Sequence, residues 1–97
     1  MAIVETMTFR LRPETDDAEF LQADRAVQVG FAYQQAGLVR RTTARDTEGG
    51  WIVVDLWESA AHADAMAERW EAAEAPRAFM ALVDEGSVDV RRYETLD

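Results

Sequence analysis

The stretch WIVVDLWESAAHADAMAERW, Trp51 to Trp70, decides how this chain folds. Its first seven residues alternate between two sets, with Ile52, Val54 and Leu56 on one side and Trp51, Val53, Asp55 and Trp57 on the other. A strand that is apolar on both sides must be covered on both, so it belongs in the middle of a sheet. Only Asp55 interrupts it. Ser59 then offers an N-cap, and His62, Met66 and Trp70 follow at four-residue intervals on one helical face. Ala63, Ala67 and Ala73 widen that stripe, while Asp64, Glu68 and Glu71 point to water.

The flanking sequence supplies the partners. Ile3, Met7, Phe9 and Leu11 alternate with Val4, Thr6, Thr8 and Arg10, a half-buried strand that Pro13 ends. Asp16 with Glu19 makes an approximate capping box for a helix whose one face carries Phe20, Ala23, Val27, Gly30, Phe31 and Gln34. Gly37 is the expected stop of that helix. A glycine inside it costs about 1 kcal/mol relative to alanine, so Gly30 calls for a packing or ligand-approach reason. Leu38–Asp46 reads as a polar edge strand, and Thr47-Glu48-Gly49-Gly50 as a hairpin turn with glycines in the positive-φ positions. Pro76 is expected to open a short helical piece, RAFMALVD, and Gly86 leads into a last strand, SVDVRRYETL. The order is β-α-β-β-α-β, that of an α+β, ferredoxin-like fold. Right-handed crossovers give a four-stranded antiparallel sheet of order 4-1-3-2. Two helices cover one face. The second apolar face of the Trp51–Trp57 strand then needs a partner, which predicts a homodimer packed sheet to sheet.

The 97 residues fit one domain, 1–97, of ordinary globular composition, with 48% apolar and 30% charged residues. With no cysteine, disulfides, thiol nucleophiles and cysteine-ligated metals are excluded. The start MAIVETMTFRLRP lacks the pattern of a secretory leader and no run approaches a membrane span, so a cytoplasmic protein is expected. Ten basic against nineteen acidic residues give a net charge of −9, which repels phosphate backbones and anionic lipid heads. Neither nucleic acid nor membrane is an expected partner. The doublets Arg40-Arg41 and Arg91-Arg92 split between opposite strand faces, and one histidine provides no imidazole pair for a metal.

The junction VVDLWESAAHADAM, together with PRAFMALVDEGSVDVRRYETL, resembles the dimeric α+β barrel superfamily, and within it the antibiotic-biosynthesis-monooxygenase-like proteins. The likeness covers nearly the whole chain in element order. It is specific in short motifs only around Trp57-Glu58-Ser59 and the final strand. It implies a dimeric barrel, with a pocket in each protomer between sheet and helices, and activities that include cofactor-independent oxygenation of polyketide quinones. Trp57 matches the tryptophan that commonly closes the third strand, which implies that it lines the pocket. Many members carry a histidine one turn beyond His62, where this chain has Met66. The haem-degrading branch has its ligating histidine where this chain has Ala75-Pro76, so haem degradation is not expected.

The chemistry that remains needs a dry, shaped cavity and one acid–base group, without a cofactor. His62 is a candidate general base, because its pKa lies near neutrality; the alternative is a half-exposed side chain satisfied by its neighbours. Asp55 is a candidate whose pKa burial would raise; the alternative is an ion pair with an arginine such as Arg10, or across the dimer. Trp57, Trp70, Phe31 and Tyr33 form either a flat slot for an aromatic or apolar ligand or the fill of a small core. Met66 joins them as a substrate-side residue or a gap-filler. Two functions follow: a cofactor-independent monooxygenase-like enzyme on an aromatic or polyketide-like molecule, or a non-catalytic dimeric barrel that binds a small apolar ligand or has a stress or regulatory role.

Overall fold

The structure is a computed structural model describing residues 1–96. Its strands are β1 (Ile3–Phe9), β2 (Leu38–Arg45), β3 (Trp51–Trp57) and β4 (Asp89–Glu94); its helices are α1 (Asp17–Gly30), α2 (Ala60–Trp70) and α3 (Glu74–Met80). The sheet order β2-β3-β1-β4 is the expected one, every pairing is antiparallel, and β1 and β3 lie at the centre. The fold is ferredoxin-like.

Alternation along β3 sets the layers. Trp51, Val53, Asp55 and Trp57 are buried beneath the helices, while Ile52, Val54 and Leu56 on the other face are only half-buried. Register carries the same parity across the sheet. Ile3, Glu5, Met7 and Phe9 of β1 oppose the helix-side residues of β3, and Val4, Thr6 and Thr8 oppose the outer ones. Two apolar clusters fill the space under the helices. Phe9, Phe20, Val27, Trp51, Phe79 and Val83 are prominent in one, where Phe20 and Trp51 meet at 4.6 Å between ring centroids. Ile3, Phe31, Trp57, Ala63 and Met66 form the other. Trp70 packs against both, edge-on to Phe31 and Phe79. Burying six large aromatics at about 2–3 kcal/mol each is the main favourable term for so small a fold.

Local signals account for most boundaries. The Asp16 carboxylate accepts the Glu19 backbone N–H at 2.8 Å, and Asp17 and Glu19 add favourable charge in the first turn of α1. Asp46 accepts N–H bonds from Glu48 and Gly50 and so shapes the hairpin, in which Gly49 alone has positive φ, 86°. Three boundaries differ from the sequence reading. α1 ends at Gly30 rather than Gly37, because Phe31 leaves helical geometry (φ −129°, ψ −61°) to bury its ring beside Trp57, and a 3-10 turn over Ala32–Gln34 follows. Gly30 has no close-approach role, since a Cβ there would meet nothing within 4 Å. α3 starts at Glu74, two residues before Pro76, and β4 starts at Asp89 after a 3-10 turn, Glu85–Ser87.

Gly37 serves the entry to β2 instead. Its φ is 84°, and an added Cβ would stand 2.2 Å from His62 Cγ. Backbone strain and overlap act together there, so Gly37→Ala is expected to cost about 3 kcal/mol in urea unfolding. Adding His62→Ala should recover the part of the steric cost due to the ring, leaving the φ penalty and the overlap with the residue-62 Cβ, 2.6 Å away. Equal losses in the single and double variants would refute that division.

Candidate functional site

The helix-side face of the sheet is crossed by a row of four charged residues. Arg41 of β2 opposes Asp55 of β3, Asp55 opposes Glu5 of β1, and Glu5 opposes Arg92 of β4. Helices extend the row at both ends. Asp24 of α1 accepts from Arg41 Nη2 at 2.8 Å, and Asp64 of α2 accepts from Arg92 Nη1 at 2.6 Å. Arg92 Nε donates to Glu5 Oε2 at 2.8 Å. Arg41, only 5% exposed, also donates to Gln28 and Thr43, and Thr43 donates to Asp24. A buried guanidinium must be compensated in this way.

Asp55 receives the least. It is 8% exposed, and its nearest cation, Arg41 Nε, is 4.0 Å from Oδ1, too far for a hydrogen bond. No donor among the described residues reaches that buried oxygen. Burial therefore dominates, pushing the carboxyl up to about 6; Arg41 opposes the rise, while Glu5 and then Asp24 add to it. An acid held there gives and takes protons near neutral pH.

Above this row lies a cavity of about 370 Å³ between the sheet and α2. Met7, Val53, Met66 and Trp70 supply apolar wall, Glu5, Arg41 and Asp55 supply polar floor, and the exposed Glu71, Val90 and Arg92 stand at the rim. The volume suits a small organic molecule, and apolar walls with few convergent polar groups are the usual make-up of a ligand site. Among the described residues no three His, Asp or Glu side chains converge as a metal site requires.

Of the residues singled out from sequence, Asp55, Met66 and Trp70 come together at this cavity. The acid's partner is Arg41 rather than Arg10, because register puts Arg10 beyond the Phe9–Trp51 pair, where it bonds the Glu48 carbonyl. Trp57 is fully buried in the second cluster with Phe31, and its indole N–H meets no acceptor among the described residues. Tyr33 is 44% exposed and latches the edge strand, its hydroxyl accepting from Arg41 N and donating to Arg41 O. His62 is not among the residues lining the cavity; its Nδ1 lies 2.8 Å from the hydroxyl of Ser59, which also caps α2 by accepting the His62 backbone N–H. Sequence reading passed over Glu5, Arg41 and Arg92 as working residues. Glu5 had one signal available, its parity with Ile3, Met7 and Phe9, but its place opposite Asp55 is a matter of register.

The fold is shared with solved structures that include antibiotic biosynthesis monooxygenase-like proteins. Over 99% of this chain and 94% of the other, it superposes on SnoaB, a cofactor-independent oxygenase from Streptomyces nogalater, with a TM-score of 0.81 at 15% identity. A protein from Caulobacter crescentus, provisionally assigned as an antibiotic biosynthesis monooxygenase, gives 0.80 at 17% identity over 99% and 91% of the two chains. Rv0793 from Mycobacterium tuberculosis gives 0.71 at 17% identity over 100% and 97%. No protein-family profile matches the sequence, and no curated protein matches it.

The raised pKa of Asp55 has a consequence for stability. Between the ordinary value of 3.8 and about 6 the folded chain holds a proton that the unfolded chain releases. Asp55 thus favours folding below that window, and the advantage is lost as pH rises through about 6. In chemical unfolding, Asp55→Asn should gain on the wild type by up to about 3 kcal/mol from acid to alkaline pH. A stability difference that is constant with pH would refute the assignment.

Proposed function

We propose that the cavity over Asp55 is the substrate site of a small cofactor-independent enzyme, acting on an enolisable or hydroxylated aromatic molecule of the polyketide type. The observation that carries this reading is the buried Asp55 carboxyl, short of partners and poised near neutrality beneath apolar walls. Met66 and Trp70 would hold the flat ligand, and Asp55 would exchange a proton with its hydroxyl or α-carbon. An enol or phenol that has lost its proton is an electron-rich anion that passes an electron to dioxygen, so the substrate supplies the reducing power. The fold shared with SnoaB, a cofactor-independent oxygenase, supports the same class of chemistry. His62, held by Ser59 and packed on Gly37, is left outside the mechanism.

The test is oxygen consumption with a panel of anthrones and hydroquinones. Asp55→Asn should lower turnover about 100-fold or more, the usual worth of a general acid–base group, while His62→Ala should stay close to the wild type. If Asp55→Asn turns over normally, the reading fails. A non-catalytic barrel binding the same ligands is the alternative. It predicts saturable quenching of Trp70 fluorescence without turnover.

We further propose that two chains pair through the outer sheet face, where Ile52, Val54 and Leu56 stand beside Val4 and Tyr93. Those β3 residues are half-buried in the single chain and Tyr93 is 49% exposed, so apolar side chains remain open to a partner. No helix among the described residues is long and apolar enough to cross a membrane. Light scattering should give twice the 10.9 kDa of one chain, and Val54→Asp should give a folded monomer. A wild-type monomer at micromolar concentration would dispose of the dimer.

A further inference from the structure

We propose that Glu5 is a second working carboxylate of the cavity, paired with Asp55 so that the two together move one proton between two atoms of the same substrate. This rests on the cavity being a substrate site, and adds to it a reaction class: proton-transfer isomerisation, which needs no oxidant.

Geometry supplies the pair. Glu5 and Asp55 are direct cross-strand partners on β1 and β3, and both line the same cavity. Side chains so opposed have Cβ atoms about 4.5–5.5 Å apart, close enough for one small ligand to touch both. Both arginines are committed elsewhere as well: Arg41 to Asp24, and Arg92 to Asp64 as well as to Glu5. The floor therefore presents two acid groups beside an arginine already bonded to Asp24, and Asp55 retains an oxygen without a donor. The neighbouring Glu5 charge helps to raise the buried Asp55 carboxyl, so the proton of the pair resides on Asp55 while Glu5 is bonded by Arg92. The charged groups that act on Asp55 are Arg41 on β2, Glu5 on β1 and Asp24 on α1, while Arg92 on β4 and Glu71 at the end of α2 line the same cavity.

A singly protonated pair contains one acid and one base side by side. With a ketone in the cavity, the carboxylate removes an α-proton and the C–H bond breaks. Its electron pair forms the C=C bond as the carbonyl π pair moves to oxygen. The carboxylic acid delivers its proton to that oxygen, giving the enol. The pair began with one proton and ends with one, now on the other residue, and a hop between neighbouring carboxyls restores it. Substrates able to undergo keto–enol or allylic proton shifts fit this site; carboxylates and phosphates do not, because the floor has no uncommitted cation.

The experiment is loss of the α-proton signals of 2-tetralone in D2O, followed by NMR without oxygen on the intact chain. Wild type should catalyse exchange with a bell-shaped pH profile that falls above about 6, where Asp55 loses its proton. Glu5→Gln should lower the rate about tenfold or more and replace the bell by a single rising limb, and Glu5→Asp should restore part of both rate and shape. Circular dichroism confirms that each variant is folded. If Glu5→Gln keeps the wild-type rate and profile while Asp55→Asn loses exchange, Glu5 is a bystander and the Asp55 site stands without it. Exchange unaffected by either substitution overturns both. No exchange above buffer with wild type overturns the pair's chemistry whatever the oxygen assay gives.

Discussion

A guanidinium buried on an edge strand organises the middle of this molecule. Arg41 lies under the helices at 5% exposure, and a cation so placed is tolerable only with carboxylates around it. Asp24 meets it from α1 at 2.8 Å, which ties the first helix to β2 at one rotation and one height. Tyr33 holds the same residue through its backbone, so the turn after α1 is fastened to the strand as well. Asp55, on the other side, is left at 4.0 Å. The fold's polar anchor and its reactive acid are thus two ends of one interaction, in which the tighter bond to Asp24 leaves Asp55 short of charge.

Around that row the apolar packing divides. Phe9, Phe20, Trp51 and Phe79 form a closed cluster at one end of the sheet, and Ile3, Phe31 and Trp57 another at the opposite end. Trp70 spans the two, and the space beneath it is where the charged row runs and the cavity opens. A hydrophobic filling there would bury four ionisable side chains without solvent or ligand, at a cost of several kcal/mol per ion. The cavity and the charges therefore belong together physically, and the apolar walls make the acid useful by keeping its environment weakly polar.

Much of this was legible in the chain. The alternation in WIVVDLW placed β3 centrally, Asp16 and Ser59 marked two helix starts, and element order led to the 4-1-3-2 sheet. Asp55 stood out because a lone acid among six apolar residues is expensive. His62 stood out by chemistry alone, yet its surroundings are Ser59 and Gly37. Phe31 continued the periodicity of α1, but the ring is buried by leaving the helix rather than by extending it. Periodicity reports which side chains want to be inside; it does not report whether the backbone stays regular to put them there.

The sequence by itself determined the order of elements, the central place of β3, the buried face of β1 and the candidacy of Asp55, since these follow from local periodicity and the cost of burying charge. Only the tertiary structure decided that Arg41 and not Arg10 answers Asp55, that Glu5 stands opposite it, and that Trp57 closes a core while Trp70 borders a cavity. Those outcomes depend on register between strands far apart in the chain and on how far each helix reaches over the sheet. A one-residue shift in register exchanges the faces of a strand, and a local pattern does not contain its partner's position.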